Sequence, residues 1–212
     1  MDTGYKRNPL HAVIFDFGGV LAEEGFSLGL RAIGRDNGLD PERTFETGRR
    51  LVHETGYLTG KEPEEAFWEA FRRETGIALP DDALRKEILQ RFVIRPWMLE
   101  HVQSLRATGF LTAILSDQTN WLDELNRRNP FYGFFDMVQN SYDCGMSKFE
   151  NTAYQSLLDR LKVEPGETLF VDDTFEHVRR ARSLGIGAIH YIGRTTFEEA
   201  LRGHTGGIMR TP

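Results

Sequence analysis

Three short apolar runs in this chain are each followed at once by residues able to handle a phosphate or a metal ion. "HAVIF" (residues 11–15) delivers Asp16, "FLTAIL" (110–115) delivers Ser116, and "TLFV" (168–171) delivers the pair Asp172-Asp173. A carboxylate such as Asp16 can attack phosphorus and form an aspartyl-phosphate. Its own charge repels the phosphate, so a cation must intervene. Mg²⁺ prefers oxygen ligands, and Asp16 and Asp172 with a backbone carbonyl would suit it. Ser116 and the backbone N–H groups after Asp16, at Phe17 and Gly18, could hold the non-bridging oxygens. The glycines of "FDFGGV" let the main chain approach closely.

Each of these residues also has a plainer reading. A single Asp after a strand is commonly a turn former or helix cap. Ser116, in "LSDQTNW", could cap a helix, and Asp172-Asp173 could cap the helix of "TFEHVRRARSLG" and favour its dipole. One cap would suffice there, however, and adjacent carboxylates repel. Three such coincidences on one sheet edge are harder to accept than one shared site. A positive charge is still wanted, and Lys148, opening the helix of "CGMSKFENTAYQSLLDRL", is the best candidate. On its own, a loop lysine reads as solvated surface.

The elements that would position these groups follow from the apolar pattern. The three runs, together with "GAIHYI" (187–192), read as buried strands, and "FFDMVQN" (134–140) as a weaker fifth. Helices are predicted near 96–108, 118–128, 150–161 and 174–184. Their alternation predicts an α/β fold, a doubly wound parallel sheet with helices on both faces. In such a sheet the carboxyl ends share one edge, where ligands bind. Residues 23–95 break the alternation, with helical patterns near 26–36, 41–55, 63–75 and 81–92. In "KEPEEAFWEAFRRETG" Pro63 suits a first turn, Phe67, Trp68 and Phe71 make an apolar face, and Gly76 fits a stop. The expected organisation is therefore a core of residues 8–22 and 96–202, an inserted helical domain of 23–95, and a loose tail over 203–212. Arg95-Pro96 marks the return to the core.

With 212 residues, 40% apolar and 27% charged, the chain can bury a core without covalent staples. A single cysteine, Cys144, excludes an intramolecular disulfide framework and fits a cytoplasmic setting. No apolar run approaches the roughly 18 residues of a membrane span, and the N-terminus lacks the apolar segment of a secretory signal. A net charge of −6 and the lack of a basic aromatic stripe argue against a nucleic-acid surface. The expected partner is a small metabolite, bound by a monomer or homodimer.

The order of Asp16 in "VIFDFGGV", Ser116 in "TAILSD", Lys148, and "TLFVDDTFEHVRRARSLGIGAIHY" resembles the haloacid-dehalogenase (HAD) superfamily of phosphatases over most of the chain. The insertion resembles that superfamily's type 1 helical cap. "YLTGKEPEEAFWEAF" and "RPWMLEHVQSLRATGF" are similar to the branch of bacterial α-D-glucose-1-phosphate phosphatases, related to the phosphatase domain of soluble epoxide hydrolases. The resemblance implies that Asp16 is the nucleophile and a Mg²⁺ ligand. It implies a second metal contact from the Gly18 carbonyl, and a third from Asp172, with Asp173 supporting Asp172 or water on the ion. Ser116 and Asp117, with the amides of Phe17 and Gly18, would line the phosphate site, and Lys148 would balance charge between phosphate and Asp16. A sugar phosphate is the leading substrate.

Four positions depart from that pattern. Phe149 follows Lys148 where proline is usual, Asp117 follows Ser116 where asparagine is commoner, and His177 stands where an asparagine usually follows the acidic pair. The largest departure is Gly18, which removes the carboxylate that ordinarily protonates the leaving group, a transfer typically worth about 10²–10⁴ in rate. A good leaving group could depart without it. Glu23, Glu24 or His53 of the insertion could reach in, although each reads first as an exposed surface residue. A weakly active binding or regulatory protein is a further alternative. A metal-independent 2-haloacid dehalogenase is another, disfavoured because both Asp172 and Asp173 are present beside Asp16.

Overall fold

A computed structural model of the protein describes residues 10–206. Five strands form one sheet: β1 (Ala12–Phe15), β2 (Leu111–Ser116), β3 (Met137–Asn140), β4 (Thr168–Asp172) and β5 (Gly187–His190). They lie in the order β3-β2-β1-β4-β5, with every neighbouring pair parallel. The apolar runs form strands because the sheet is covered on both faces. Val13, Phe15, Ile114, Leu169 and Val171 point into one core, while Ile14, Ala113, Leu115 and Phe170 point into the other.

The first core is closed by α5 (Pro96–Ala107), α6 (Trp121–Arg128) and α10 (Arg194–His204), through Val102, Trp121 and Leu201 among others. On the other side, α8 (Asn151–Leu161) and α9 (Phe175–Ser183) contribute Leu157 and Val178. Phe15 of β1 pairs in register with Ile114 and Val171, so β1, β2 and β4 end almost level. Asp16, Ser116 and Asp172 therefore meet at one edge although Asp16 and Ser116 lie 100 positions apart in sequence.

The stretch between β1 and α5 contains helices α1 (Gly25–Asp36), α2 (Pro41–Glu54), α3 (Glu64–Thr75) and α4 (Asp81–Leu89). Local signals set their ends. The Asp40 carboxylate accepts Arg43 N–H at 2.7 Å before Pro41 opens α2, and Gly76 ends α3 at a φ of 73°. Phe67, Trp68 and Phe71 are all fully buried, as their helical spacing predicts. The two chain crossings into this block run side by side, with Glu23 N–H on Val93 O and Arg95 N–H on Leu21 O, both at 2.9 Å.

Several boundaries differ from the sequence reading for identifiable reasons. The helix expected from 118 begins at Trp121, because Asn140 holds the preceding loop, accepting Gln118 N–H at 3.2 Å and donating to Thr119 O at 3.0 Å. A 3₁₀ turn over Tyr132–Phe134 delays β3 to Met137. β5 stops at His190, before the exposed Ile192. The tail expected from Gly203 starts too early, since α10 runs through Gly203 to His204 and Thr205 is buried with its hydroxyl on Leu201 O at 2.9 Å. The remainder of that expected tail, residues 207–212, falls outside the described residues. Cys144 closes the short α7 (Ser141–Cys144) as a half-buried free thiol. Among the described residues no helix is long and apolar enough to cross a membrane.

Candidate active site

Lys148 is at the centre of the site. Its ammonium lies 2.8 Å from Asp16 Oδ1 and 2.7 Å from Asp172 Oδ2, and the residue is only 1% exposed. A lysine in an irregular loop is buried here because the loop is tied to the end of β2. Asp117 accepts Ser147 Oγ–H at 2.6 Å and Lys148 N–H at 2.8 Å. Burial alone would push the Lys148 ammonium towards its neutral form; the Asp16 and Asp172 carboxylates outweigh this and hold it charged.

Asp172 serves structure and site together. Its Oδ1 accepts Thr174 N–H at 2.7 Å in the turn that leads into α9. Thr174 is the N-cap of that helix and no side chain caps it, so the helix-cap reading of the acidic pair does not hold. The other oxygen faces Lys148, and Nδ1 of His177 lies 3.2 Å from it. His177 thus braces Asp172 from one turn along α9, while its Nε2 is buried with no partner. Burial opposes ionisation of Asp172, but Lys148 and then His177 keep its carboxyl below the usual range.

Asp16 and Asp173 are shifted the other way. Burial raises Asp16 well above an ordinary aspartate; Lys148 opposes this, and Asp172 and Asp173 add to it. Asp173 is pushed up to about 6 by burial and then by Asp172. Carboxylate oxygens of Asp16, Asp172 and Asp173 all lie within 4.8 Å of one another. Three buried or half-buried carboxylates with one ammonium among them leave negative charge uncompensated, and hard oxygen donors in that number fit a cation such as Mg²⁺. Asp16, Asp172 and the Gly18 carbonyl would hold it, with Asp173 beside them.

The turn after Asp16 is tight and anchored. Phe17 N–H donates to Asp16 Oδ1 at 2.7 Å, so this amide, expected to bind phosphate, fixes the carboxylate instead. The Phe17 ring packs inward on Phe131 at 5.0 Å. Gly19 adopts a φ of +77°, and a β carbon there would fall 2.0 Å from Asp173 Oδ2, so only glycine admits this approach. Arg95 clamps the same turn, donating to the carbonyls of Gly19 and of Val20 (2.9 Å) and pairing with Glu23 at 2.9 Å. The sequence marked Arg95 only as a boundary; an Arg at a return crossing was the available signal for this clamp.

A cavity of about 340 Å³ opens above these groups. Asp16, Gly18, Ser116, Lys148 and Asp173 form its floor, and Glu24, Phe26, Phe45, Val52 and His53 of the helical block contribute to its walls. Asp117 also borders it, with its carboxylate committed to Ser147 and Lys148 as the anchor of that loop. Phe149 bridges core and insertion, its ring edge-on to His177 at 5.0 Å and to His53 at 5.7 Å.

A family model described as haloacid dehalogenase-like hydrolase matches residues 10–185. Bifunctional epoxide hydrolase 2 of Sus scrofa is 29% identical over 96% of this chain, and the match spans 40% of that relative's own length. The sesquiterpene phosphatase astK of Aspergillus oryzae is 26% identical over 84% of this chain and 88% of its own. Among solved structures, a HAD-family enzyme of Bacteroides thetaiotaomicron superposes with a TM-score of 0.75 at 20% identity, covering 92% of this chain and all of that one. A complex of that enzyme with magnesium and inorganic phosphate superposes at 0.67, with 21% identity over 85% of this chain and 93% of the other. At these identities the structural likeness establishes the fold.

Proposed function

The chain belongs to the haloacid dehalogenase-like hydrolases, and from that premise we propose that it is a Mg²⁺-dependent phosphomonoester hydrolase working through an aspartyl-phosphate on Asp16. One observation carries the reading: Asp16, Asp172 and Asp173 crowd within 4.8 Å around a single buried ammonium. Such a cluster is costly unless a cation joins it, and a metal-independent displacement on carbon would gain nothing from the second and third carboxylates. Mg²⁺, when bound, would neutralise the phosphate and the carboxylates together.

The remaining work falls to the chain's own groups. Asp16 attacks phosphorus, with Phe17 N–H fixing one carboxylate oxygen so that the other is aimed. Lys148 favours the ionised form of the attacking carboxylate, against the effect of burial, and offsets the charge of the incoming dianion. The Ser116 hydroxyl, at the end of β2, holds a non-bridging oxygen. Water then cleaves the acyl-phosphate and restores Asp16. The helical block covers the cavity and excludes bulk water during the transfer.

The cavity walls bear on the substrate. A sugar phosphate needs polar partners for several hydroxyls, yet Phe26, Phe45, Val52 and Leu58 supply apolar surface above the phosphate floor. Arg31 and Arg49 stand among them but already pair with Glu42 and Glu46. This lining favours a phosphate ester with an apolar body over a sugar, and the relative named as a sesquiterpene phosphatase is consistent with it. The single thiol, Cys144, fits a reducing, cytoplasmic setting.

The test is a Mg²⁺-dependent assay on aryl, isoprenyl and sugar phosphates beside an Asp16→Asn control. Turnover above that control, fastest with the apolar esters, is expected. Wild-type rates no higher than the control on every ester would overturn the phosphatase reading, and chloride release from a 2-haloacid without metal would replace it.

A further inference from the structure

Departure of an alkoxide or phenoxide from phosphorus is slow unless the oxygen gains a proton as the bond breaks. Gly18 has no side chain to supply one. A β carbon built on Gly18 would stand 3.7 Å from Glu24 Oε1 and 3.6 Å from Phe92 Cε1, both ordinary contact distances. The position is therefore not closed to a side chain. The Glu24 carboxyl already reaches the space that an acidic side chain at position 18 would enter.

Glu24 arrives there through the tight turn after the nucleophile. Ala22 N–H returns to Phe17 O at 2.9 Å, which folds the chain back and brings residue 24 over residue 18. Its Oε2 accepts Ser27 N–H at 2.6 Å as the N-cap of α1, so the carboxyl is oriented and Oε1 is left towards the cavity. The other proton carriers nearby are committed elsewhere, Asp173 to the carboxylate cluster with Asp16 and Asp172. Asp117 anchors the Lys148 loop, His177 Nδ1 braces Asp172, and Glu23 is paired with Arg95. His53 faces Phe149 from α2.

We propose that Glu24 is the proton donor to the leaving group, taking the place that Gly18 leaves empty; this rests on the phosphatase reading above. In the first step Asp16 forms its bond to phosphorus while the bond from phosphorus to the ester oxygen breaks. The proton on Glu24 Oε1 passes to that oxygen, so an alcohol departs and Glu24 becomes a carboxylate. In the second step the same carboxylate accepts a proton from the water that attacks the aspartyl-phosphate, which restores the acid and releases phosphate. Nothing is oxidised or reduced. Because Glu24 opens the first helix of the insertion, proton delivery requires that block to be seated on the core.

The experiment compares kcat/KM, which ends with leaving-group departure, for phenyl phosphate and 2,4-dinitrophenyl phosphate. The two esters share an aryl phosphate core, but the dinitrophenolate needs no proton to leave. Glu24→Gln keeps an acceptor for Ser27 and removes the proton. It should lower kcat/KM on phenyl phosphate by about 100-fold or more while changing the dinitrophenyl ester by less than about threefold. Retained dinitrophenyl turnover certifies the fold of the variant. Adding Gly18→Asp to Glu24→Gln should recover at least tenfold on phenyl phosphate, roughly half of the logarithmic loss. Should Glu24→Gln fold poorly, Glu24→Asp keeps the cap but withdraws the carboxyl, and should show the same split to a smaller degree. Equal losses on both esters, or no loss on either, in the presence of Asp16-dependent wild-type turnover would overturn the proposal and leave the phosphatase reading standing. Absence of wild-type turnover on both esters would overturn the two together.

Discussion

Two groups of buried carboxylates in this protein are built to opposite rules. At the seam between the insertion and the core, Glu64 accepts Trp68 Nε1–H at 2.7 Å, Trp121 Nε1–H at 3.1 Å and Arg85 Nε–H at 2.9 Å. One carboxylate there has three donors and a full opposite charge. At the sheet edge, the ammonium of Lys148 pairs with Asp16 and Asp172, and Asp173 crowds against those two carboxylates. The difference separates a carboxylate that serves structure from carboxylates that serve chemistry. The first is neutralised by the fold itself, while the second group is left short of positive charge, as the proposed cation site requires.

The contrast is broken most severely by removing the proposed nucleophile. Asp16→Asn is expected to cut kcat/KM on an aryl phosphate by about 10⁴-fold or more while leaving the melting temperature equal or higher, because it relieves repulsion with Asp172 and Asp173. A large fall in stability together with activity would show that the edge cluster is structural after all. Glu64→Ala should do the reverse. Leaving two indole N–H groups and Arg85 without their acceptor should cost about 2–4 kcal/mol in denaturant unfolding, with activity per folded molecule kept within a few-fold. Unchanged stability would remove the distinction from its other side.

The cation deficit also has a pH signature of known sign. Asp173 rises from 3.8 to about 6 on folding. The metal-free fold therefore loses stability as the pH rises from near 4 through about 6, once Asp173 ionises against its neighbours. Asp16 is shifted in the same direction, whereas the depressed Asp172 acts only at lower pH. Thermal melts in EDTA should thus be lower at about pH 7.5 than at about pH 5. At about 100 times its dissociation constant, Mg²⁺ should add about 2.7 kcal/mol at the higher pH and much less at the lower. A Mg²⁺ effect independent of pH would contradict the assignment of these carboxylates to the ion.

The strand ends were legible in the sequence because only apolar runs and parallel order are needed to bring Asp16, Ser116 and Asp172 to one edge. Lys148 was legible only by resemblance: its burial depends on Asp117, 31 residues away, folding its loop inward. The same bonds commit the Asp117 carboxylate to that loop, which no local pattern announces. Glu24 read as surface because it is a charged residue beside another, Glu23, yet the return of Ala22 to Phe17 places it in the wall of the cavity. Helix limits near Trp121 and Gly203 were missed because tertiary bonds from Asn140 and the packing of Thr205 set them. Local signals such as Asp40, Pro41 and Gly76, by contrast, fixed the ends of α2 and α3.

The central claim is that the under-neutralised edge is a cation-dependent phosphoryl-transfer site with Asp16 as its nucleophile. Rapid acid quenching of the enzyme during turnover of 2,4-dinitrophenyl phosphate, followed by peptide mass spectrometry, tests it directly. One phosphoryl group is expected on the peptide carrying Asp16, formed with Mg²⁺ and absent in EDTA and in Asp16→Asn. Turnover with no such adduct, or an adduct that forms equally well in EDTA, would contradict it.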